Sequence, residues 1–218
     1  MAARYRWPLP PEEIRRDADP AELVSQSPPE EIRIGSFVLR PCGQADARLY
    51  TAAQLVSHDH LAQFEGWAQP LPTVEGSQAR IEWSRQVWDS GRGYFYCTYD
   101  AETEELVGSV GMHAADGQKR ALEIGYWTVE AHTMRGAATL GAVALTAAAF
   151  GLDRVVIQCD VNNIVSARIP RRLGYQVNET RPRPVTAPGE AGVVMLHICD
   201  RRWYPKTYAH RMWVEERL

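Results

Sequence analysis

The chain has 218 residues, with 24 basic and 27 acidic side chains and a formal net charge of -3. This length predicts one domain with an extension, and an apolar content of 45% is typical of a globular protein with a sizeable core. The nearly balanced charge argues against a nucleic-acid partner. The most apolar stretch, residues 140–152, is shorter than the ~20 residues of a membrane-spanning helix, so we expect no membrane partner.

The four cysteines, Cys42, Cys97, Cys159 and Cys199, lie tens of residues apart and form no CxxC pair. This spacing excludes a zinc ribbon and argues against a disulfide scaffold at this size, so we expect buried free thiols and no metal. The first eleven residues lack the apolar segment of a secretory signal. The sequence therefore predicts a reduced, cytoplasmic protein.

Residues 1–33 differ in composition from the rest of the chain, since they are rich in proline and charge and have weak periodicity. We interpret them as an N-terminal extension, which is either a flexible arm or a segment that docks through Trp7 and Leu9 on the body or on a partner subunit. Residues 34–218 then form one domain.

From residue 36 onward, the pattern predicts a strand, two helices, three strands, a helix, a strand, a short helix and a last strand. Their ranges are 36–40, 44–57, 77–88, 94–99, 106–112, 121–129, 136–150, 154–160, 166–173 and 193–199. Helix 136–150 is apolar on every side and is therefore expected to be buried. It connects two strands as a right-handed crossover, which requires them to be parallel. The order predicts an α+β fold.

The loop between strand 121–129 and this Ala-rich helix is a candidate phosphate site. The first amides of a helix have no partner within the helix and its dipole adds positive charge, so anions bind there. The small residues Gly136, Ala137 and Ala138 would let a pyrophosphate approach the backbone, and Arg135 would add a full charge. Small residues before such a helix also occur without any ligand. The loop lacks the GxGxxG pattern of dinucleotide-binding domains.

Four motifs follow one another along the second half of the chain. They are the run EIGYW at 123–127, the small-residue loop and helix at 133–139, Asn163-x-x-Ser166, and the run RLGY at 172–175. In this order and spacing they resemble the GCN5-related N-acetyltransferases (GNAT), most closely the RimJ/RimL-type, ribosomal-protein-alanine acetyltransferase branch. The resemblance extends from about Phe37 to Trp203. It implies a mixed, mostly antiparallel central sheet, flanked by helices and splayed between its fourth and fifth strands, here 122–129 and 154–160.

The resemblance also implies an acetyl-CoA-dependent N-acetyltransferase that moves the acetyl group directly to a primary amine, on a protein N-terminus or a small molecule. The alternative is a non-catalytic acyl-CoA-binding or interaction module on the same fold. Homodimerisation is a tendency of the family. The residues implied in acetyl-CoA binding are Trp127, Thr128, Val129, Thr133, Met134, Arg135, Gly136, Ala137, Ala138, Thr139, Asn163 and Ser166.

Two positions of the phosphate loop depart from the family pattern. Thr133 stands where relatives usually carry Gln or Arg, and Met134 replaces a common glycine, whereas Gly136 and Ala138 match. The change at Thr133 removes a side-chain donor but leaves the backbone amides. We therefore expect weakened rather than abolished acetyl-CoA binding, with Arg135 partly compensating.

Two side chains are the catalytic candidates. Glu123 lies on the strand that lines the cleft and is the candidate base, because an α-amine with a pKa of about 8 needs only a modest base at pH 7. Its alternative role is an ion pair with Lys119 or Arg120. Many relatives carry a tyrosine donor to the leaving thiolate where this chain has Pro170, so we expect Ser166 to stabilise the thiolate. The alternative is that Ser166 only caps its helix.

Three further features are candidate parts of an acceptor site. His113 follows a predicted strand, the loop 180–192 precedes the last strand, and four aromatic residues lie near the early helices. These aromatics are Trp67, Trp83, Trp88 and Tyr94. Each feature has an ordinary alternative, respectively a core or surface histidine, a surface hairpin and core packing.

Overall fold

The structure, a computed structural model, describes residues 27–115, 121–149 and 153–215, and an eight-stranded sheet forms its centre. The strands are β1 (Ile32–Ile34), β2 (Phe37–Arg40), β3 (Gly93–Asp100), β4 (Leu106–Ala114), β5 (Ala121–Thr128), β6 (Arg154–Asp160), β7 (Gln176–Pro182) and β8 (Val193–Asp200). Their order across the sheet is β1-β2-β3-β4-β5-β6-β8-β7. Within the described ranges β5 and β6 are parallel and the other neighbours are antiparallel. This confirms the mixed, mostly antiparallel sheet of an α+β fold.

Helices cover both faces of the sheet. The α-helices of the described residues are α1 (Ala47–Val56), α2 (His58–Ala62), α3 (Val74–Asp89), α4 (Ala137–Ala148), α5 (Ile164–Leu173) and α6 (Tyr208–Glu215). The alternation along β3 assigns the faces, because Tyr94 and Tyr96 enter the core beneath α4, whereas Phe95 and Cys97 pack on the side of α1 to α3. Helix α4 is buried as expected, and across the described ranges no helix combines the length and apolar character needed to cross a bilayer.

The sheet is splayed between β5 and β6, the fourth and fifth of the predicted strands. Their parallel pairing runs from Ala121 opposite Arg154 to Glu123 opposite Val156 and goes no further. Residues 124–128 of β5 and 157–160 of β6 continue as separate strand ends. The predicted splay is confirmed, and the gap opens beside the start of α4.

Some elements were not predicted, and each has a weak local signal. Strand β7 is exposed along nearly its whole length at the sheet edge, so its polar side chains show no apolar alternation. The predicted loop 180–192 is therefore shorter, since β7 continues to Pro182. Strand β1 starts at Ile32, just inside the predicted extension, and residues 1–26, with Trp7 and Leu9, lie outside the described residues.

The expectation of four free thiols is wrong, because Cys42 and Cys97 form a disulfide with Cα atoms 5.6 Å apart. The antiparallel pairing of β2 with β3 places Arg40 opposite Cys97, so the chain just beyond Arg40 passes over that cysteine. The two cysteines are 55 residues apart in sequence, which no spacing motif reveals. Cys159 and Cys199 are free and buried as expected. The cysteines therefore give no support to a reducing compartment.

Candidate active site

A cleft lies where β5 and β6 separate, and we call it the splay cleft. Residues 123–126 of β5 and 157–160 of β6 form its walls, and the first turn of α5 lies at its edge. Two connecting segments, 64–66 and 183–190, contribute the remaining lining residues. The cleft thus collects groups from five separate parts of the chain, as a site that holds two reactants requires.

The edge of β5 presents backbone groups to this cleft in alternation. The Val129 amide donates to the Val107 carbonyl at 2.9 Å, and the Ala121 carbonyl accepts from Ala115 at 2.9 Å, so odd-numbered residues of β5 bond to β4. Thr128 and the other even-numbered residues consequently direct their N–H and C=O groups toward the open side. Of the predicted residues 127–129, Thr128 is the one whose backbone faces the gap.

The start of α4 has the geometry of an anion site. Gly136 is the N-cap in the left-handed region at φ 93°, a conformation that favours glycine, and a Cβ there would meet nothing within 4 Å. Ala137 begins the helix, so the amides of residues 137–139 point out of its first turn. Met134 has φ 63°, and its side chain is exposed. This positive φ explains why glycine is common at this position in the family.

Arg135 already has partners at the rim of this loop. Its guanidinium donates to Nδ1 of His132 at 2.9 Å and lies 3.5 Å from a carboxylate oxygen of Asp100 at the end of β3. The side chain would have to exchange these partners to reach a phosphate. We therefore expect the backbone amides to contribute more than Arg135 to phosphate binding, with Arg135 adding positive charge beside them.

Ser166 is not the N-cap of α5, so that alternative is wrong. Helix α5 begins at Ile164, and Asn163 caps it by accepting the Ser166 amide on Oδ1 at 3.1 Å. In the described part of the chain the Nδ2 of Asn163 has no acceptor, and Asn163 lines the splay cleft. The cap thus fixes the Asn163 side chain and leaves its amide donor available.

The Ser166 hydroxyl meets a tyrosine. Its Oγ donates to the Tyr126 hydroxyl at 3.3 Å, and the Tyr126 hydroxyl donates to the Ser166 carbonyl at 3.1 Å. Burial raises the pKa of Tyr126 well above its ordinary value, so the phenol remains protonated near neutral pH. Although Pro170 excludes a tyrosine from the usual family position, Tyr126 brings a phenol to the serine from β5.

Glu123 lies on the opposite face of β5 from Tyr126. It is buried, and its Oε2 accepts from Nε2 of Gln158 on β6 at 2.6 Å. Gln158 in turn accepts from Arg181 of β7 at 2.9 Å. Lys119 and Arg120, the predicted alternative partners, lie outside the described residues.

A second carboxylate, Glu65, enters the splay cleft from the loop after α2. Its Oε2 accepts from Nε1 of Trp67 at 2.7 Å. Burial is the largest influence on this carboxyl and raises its pKa to about 7, with the Trp67 hydrogen bond and the charge of Arg183 acting in the opposite direction. A carboxyl with this pKa exchanges protons readily at neutral pH.

The loop 183–190 closes over the cleft and contacts the Glu65 loop. The Gly189 amide donates to the Gln63 carbonyl at 2.8 Å, and a Cβ on Gly66 would collide with Thr186, so this close approach requires glycine. Glu190 holds the loop together by accepting from Arg183 and from the Ala187 amide. The loop thus lines the cleft, and its place beside the acceptor stays a prediction.

Residues 36–176 match the family described as the acetyltransferase (GNAT) domain. The chain belongs to the GNAT family. A curated relative, the uncharacterized N-acetyltransferase YoaA of Bacillus subtilis (strain 168), is 26% identical over 143 residues, which are 64% of this chain and 79% of that protein. The chain is therefore an N-acetyltransferase.

Solved structures share the GNAT fold at low identity. RimL, a ribosomal L7/L12 alpha-N-protein acetyltransferase in complex with coenzyme A, is 20% identical with a TM-score of 0.71, covering 78% of this chain and 98% of its own. Mycobacterium smegmatis RimJ, in complex with CoA-disulfide, is 22% identical with a TM-score of 0.71, covering 85% and 92%. MccE, the microcin C7 self-immunity acetyltransferase in complex with acetyl-CoA and AMP, is 16% identical with a TM-score of 0.71, covering 81% and 99%.

Several predicted acceptor-site residues have other positions in this GNAT structure. His113 is fully buried opposite Glu123 in the β4–β5 register, with Nδ1 2.8 Å from the Ala114 carbonyl. Trp88 and Tyr94 pack together in the main core, so they form no acceptor wall. Trp67 does lie near the cleft, with its ring 6.3 Å from that of Trp127.

Neither Glu65 nor the hydroxyl of Tyr126 is predicted from the sequence as a site group of this GNAT domain. Glu65 lies in an irregular segment without a motif, so its spacing gives no signal. Tyr126 stands inside the quoted run EIGYW, and alternation places it on the face opposite Glu123. That position indicates a role facing α5, but the contact with Ser166 depends on where α5 packs.

Proposed function

We propose that this N-acetyltransferase uses acetyl-CoA and transfers the acetyl group directly to a primary amine, on a protein N-terminus or a small molecule. One observation carries the proposal: the splay cleft has hydrogen-bond donors for a thiol on the α5 side of β5 and two carboxylates on its other face. A direct transfer needs both, because a thiolate leaves on one side while an amine loses a proton on the other.

The residues present fit the acetyl-CoA molecule. The amides of residues 137–139 and the turn at Gly136 would bind its pyrophosphate, with Arg135 at the rim. The open edge of β5 around Thr128 and the Nδ2 of Asn163 would hydrogen-bond the amide-bearing arm. Bound there, acetyl-CoA supplies a thioester, whose C–S bond breaks as the amine nitrogen bonds to the acyl carbon.

Ser166 and Tyr126 would act on the leaving sulfur. The Ser166 hydroxyl would donate a hydrogen bond to the developing thiolate, a group with a pKa of about 8.5 when it resembles cysteine. To do so the Ser166 hydroxyl would turn its one proton from the Tyr126 hydroxyl to the sulfur, while Tyr126 would hold Ser166 in position by donating to its carbonyl. Cys159, which also lines the cleft, is no nucleophile in this proposal, since burial raises its pKa to about 11.

Glu123 and Glu65 would take up the proton that the amine loses. We propose Glu123 as the base, because it is buried at the wall of the cleft and fixed by Gln158. Glu65 would be a second proton acceptor whose pKa of about 7 sets the pH dependence of the reaction. Both carboxylates would also attract the protonated amine as it enters.

The test starts with calorimetric titration of acetyl-CoA, for which we expect a Kd near 10 µM, or ~7 kcal/mol. The Ala138→Asp variant places a negative charge at the phosphate loop and should abolish binding, whereas Ala79→Asp, on the exposed face of α3, should not. A panel of peptide and small-molecule amines then measures acetyl transfer. Failure to bind acetyl-CoA at millimolar concentration, together with no transfer, would contradict the proposal and favour an interaction module.

A further inference from the structure

A second pocket lies outside the splay cleft, between α1, α2 and α3. Its volume is about 250 Å³. We call it the Arg80 pocket, and the lining residues used below are Tyr50, His58, Leu61, Trp67, Pro72 and Arg80. The reaction proposed above uses none of these six side chains, so acetyl transfer itself does not explain this pocket.

The polar group that distinguishes this pocket is the Arg80 guanidinium. It stacks 4.0 Å from the centre of the Trp83 ring and 4.9 Å from that of Phe95. In the described part of the chain Arg80 forms no ion pair, and its hydrogen-bond partner is the hydroxyl of Tyr50. Burial lowers its pKa to about 9, so it still carries its charge at neutral pH. A partly buried cation without a carboxylate partner is strongly favourable for an anion.

His58 adds a second polar group. Its Nδ1 is paired with Oδ1 of Asp59 at 3.1 Å. Within the described ranges its Nε2 is buried and has no hydrogen-bond partner. An unpartnered buried polar atom is costly unless a ligand or a water molecule satisfies it. The pocket therefore combines a cation that has no carboxylate partner with a buried ring nitrogen that has no hydrogen-bond partner.

Much of the remaining wall is apolar, although Gln54, Thr73 and Ser77 also line the pocket. The rings of Tyr50 and Trp67, together with Leu61 and Pro72, enclose a space suited to an aromatic or branched apolar group. Aromatic rings beside an arginine are the usual composition of a site for an organic anion.

The Arg80 pocket shares a wall with the splay cleft. Trp67 lines the pocket, and its indole N–H donates to Glu65, which lines the cleft. The rings of Tyr50 and Trp67 both contact Trp127 of β5, with centroids 5.6 and 6.3 Å away. The two cavities share no lining residue, so an acceptor with its amine beside Glu65 would have to pass Trp67 for its far end to reach Arg80.

We propose that the Arg80 pocket binds an anionic group, a carboxylate or a phosphate, carried on a flat apolar body, and that this body is part of the acceptor amine. The anion site itself stands on the pocket alone. Its assignment to the acceptor rests on the proposed function. The acceptors of this enzyme would then be amines that bear a remote acidic group.

The first experiment measures binding without any acetyl transfer. The probes are 3-phenylpropionate and its uncharged amide, titrated by calorimetry into the whole protein. We expect the acid to bind at least about tenfold more tightly than the amide. Equal affinity, or no binding of the acid at about 20 mM, would overturn the anion site.

Variants assign the effect to Arg80. Arg80→Gln should bring the acid and the amide to within about twofold of each other, and Arg80→Lys should keep part of the preference. Arg85→Gln is the matched control, because Arg85 lies on the same helix but is exposed and paired with Glu30 and Asp89. An acid preference that persists in a folded Arg80→Gln protein would contradict the assignment.

The second experiment tests whether the anion that binds beside Arg80 is part of the acceptor amine or a separate molecule. It compares the acetylation of 4-(aminomethyl)benzoate with that of 4-(aminomethyl)benzamide, which differ only in the remote group. We expect the KM of the acid to be about tenfold lower, and this advantage to disappear in Arg80→Gln. Equal KM values would assign the anion to a separate molecule and overturn its place in the acceptor. Absence of transfer to any amine counts against the proposed function, whereas the calorimetric result is unaffected.

Discussion

The hydroxyl groups of Tyr126 and Ser166 lie 3.3 Å apart, although the two residues are 40 positions apart in sequence. Tyr126 comes from β5 and Ser166 from the first turn of α5, on opposite sides of the splay. This pair supplies a phenol beside the serine even though Pro170 occupies the position where many relatives carry their tyrosine. In the proposed reaction this pair would take the place of that tyrosine beside the leaving sulfur.

The Ser166→Ala variant should lower kcat about 10- to 100-fold with little change in the KM for acetyl-CoA, because it removes a donor that acts on developing charge. Tyr126→Phe should lower kcat only about 2- to 10-fold, since it removes the hydrogen bond to the Ser166 carbonyl that positions this serine. Steady-state kinetics of both variants and of the double variant checks this. Additive losses in the double variant would contradict the coupling of the two hydroxyls.

Glu123→Gln should reduce kcat/KM about 100-fold or more, because the amide cannot accept a proton. In the native enzyme, kcat/KM should rise with pH through a limb near pH 7, where Glu65 loses its proton. Glu65→Gln should remove that limb. The measurement is the pH dependence of kcat/KM with a slow acceptor. A limb near pH 7 that survives in Glu65→Gln would show that another group is responsible.

The pKa of Glu65 also predicts a pH-dependent stability. Its value is about 7 in the folded chain, against an ordinary 4.5, so between these values the folded state holds a proton that the unfolded chain has lost. The stabilisation of the folded state by this retained proton is complete below pH 4.5 and is lost as the pH rises through 7. Glu65→Gln should therefore equal the native protein at pH 4.5 and exceed it at pH 8 by on the order of 2 kcal/mol, discounted for partial exposure.

Urea unfolding at the two pH values measures this difference. Glu75→Gln is the control, because Glu75 is an exposed carboxylate on α3. A gain for Glu65→Gln that does not vary with pH would contradict the assignment of the shift to a buried carboxyl.

Met134 has a backbone conformation that L side chains rarely adopt, with φ 63°. Met134→Gly should relieve a cost of about 1 kcal/mol, partly offset by the greater freedom of glycine in the unfolded chain, while Met134→Ala should not. Gly136→Ala should destabilise the fold by about 1 kcal/mol and weaken acetyl-CoA binding, although space for a Cβ exists. Thermal unfolding and calorimetry check these variants. Equal stability of Met134→Gly and Met134→Ala would argue against strain at this position.

The Cys42–Cys97 bridge closes a loop of 55 residues that includes α1 to α3. Reduction, or Cys42→Ser, should lower the free energy of unfolding by about 2–4 kcal/mol. Thiol titration of the denatured, unreduced protein should find two reactive thiols, those of Cys159 and Cys199. Four reactive thiols in freshly prepared, oxidised protein would contradict the bridge.

The sequence by itself determined the α+β class, because helix and strand periodicity are local patterns. Its four ordered motifs indicated the family, and the splay followed from that resemblance. The phosphate loop stays a prediction. Residues 123–127 and 136–138 show strand alternation and a small-residue helix start, which short-range sterics and hydrogen bonding dictate. Gly136 is a further local signal for the start of α4, since the left-handed conformation of this N-cap depends on the adjacent turn alone.

Only the tertiary structure decided the contacts between segments that are distant in sequence. The Cys42–Cys97 bridge depends on the register of β2 with β3, and the pair of Tyr126 and Ser166 depends on how α5 packs beside β5. The raised pKa of Glu65 arises from burial beneath neighbouring segments, which no spacing encodes. Contacts of this kind follow from the packing of the whole core, so a motif in one stretch of sequence carries no trace of them.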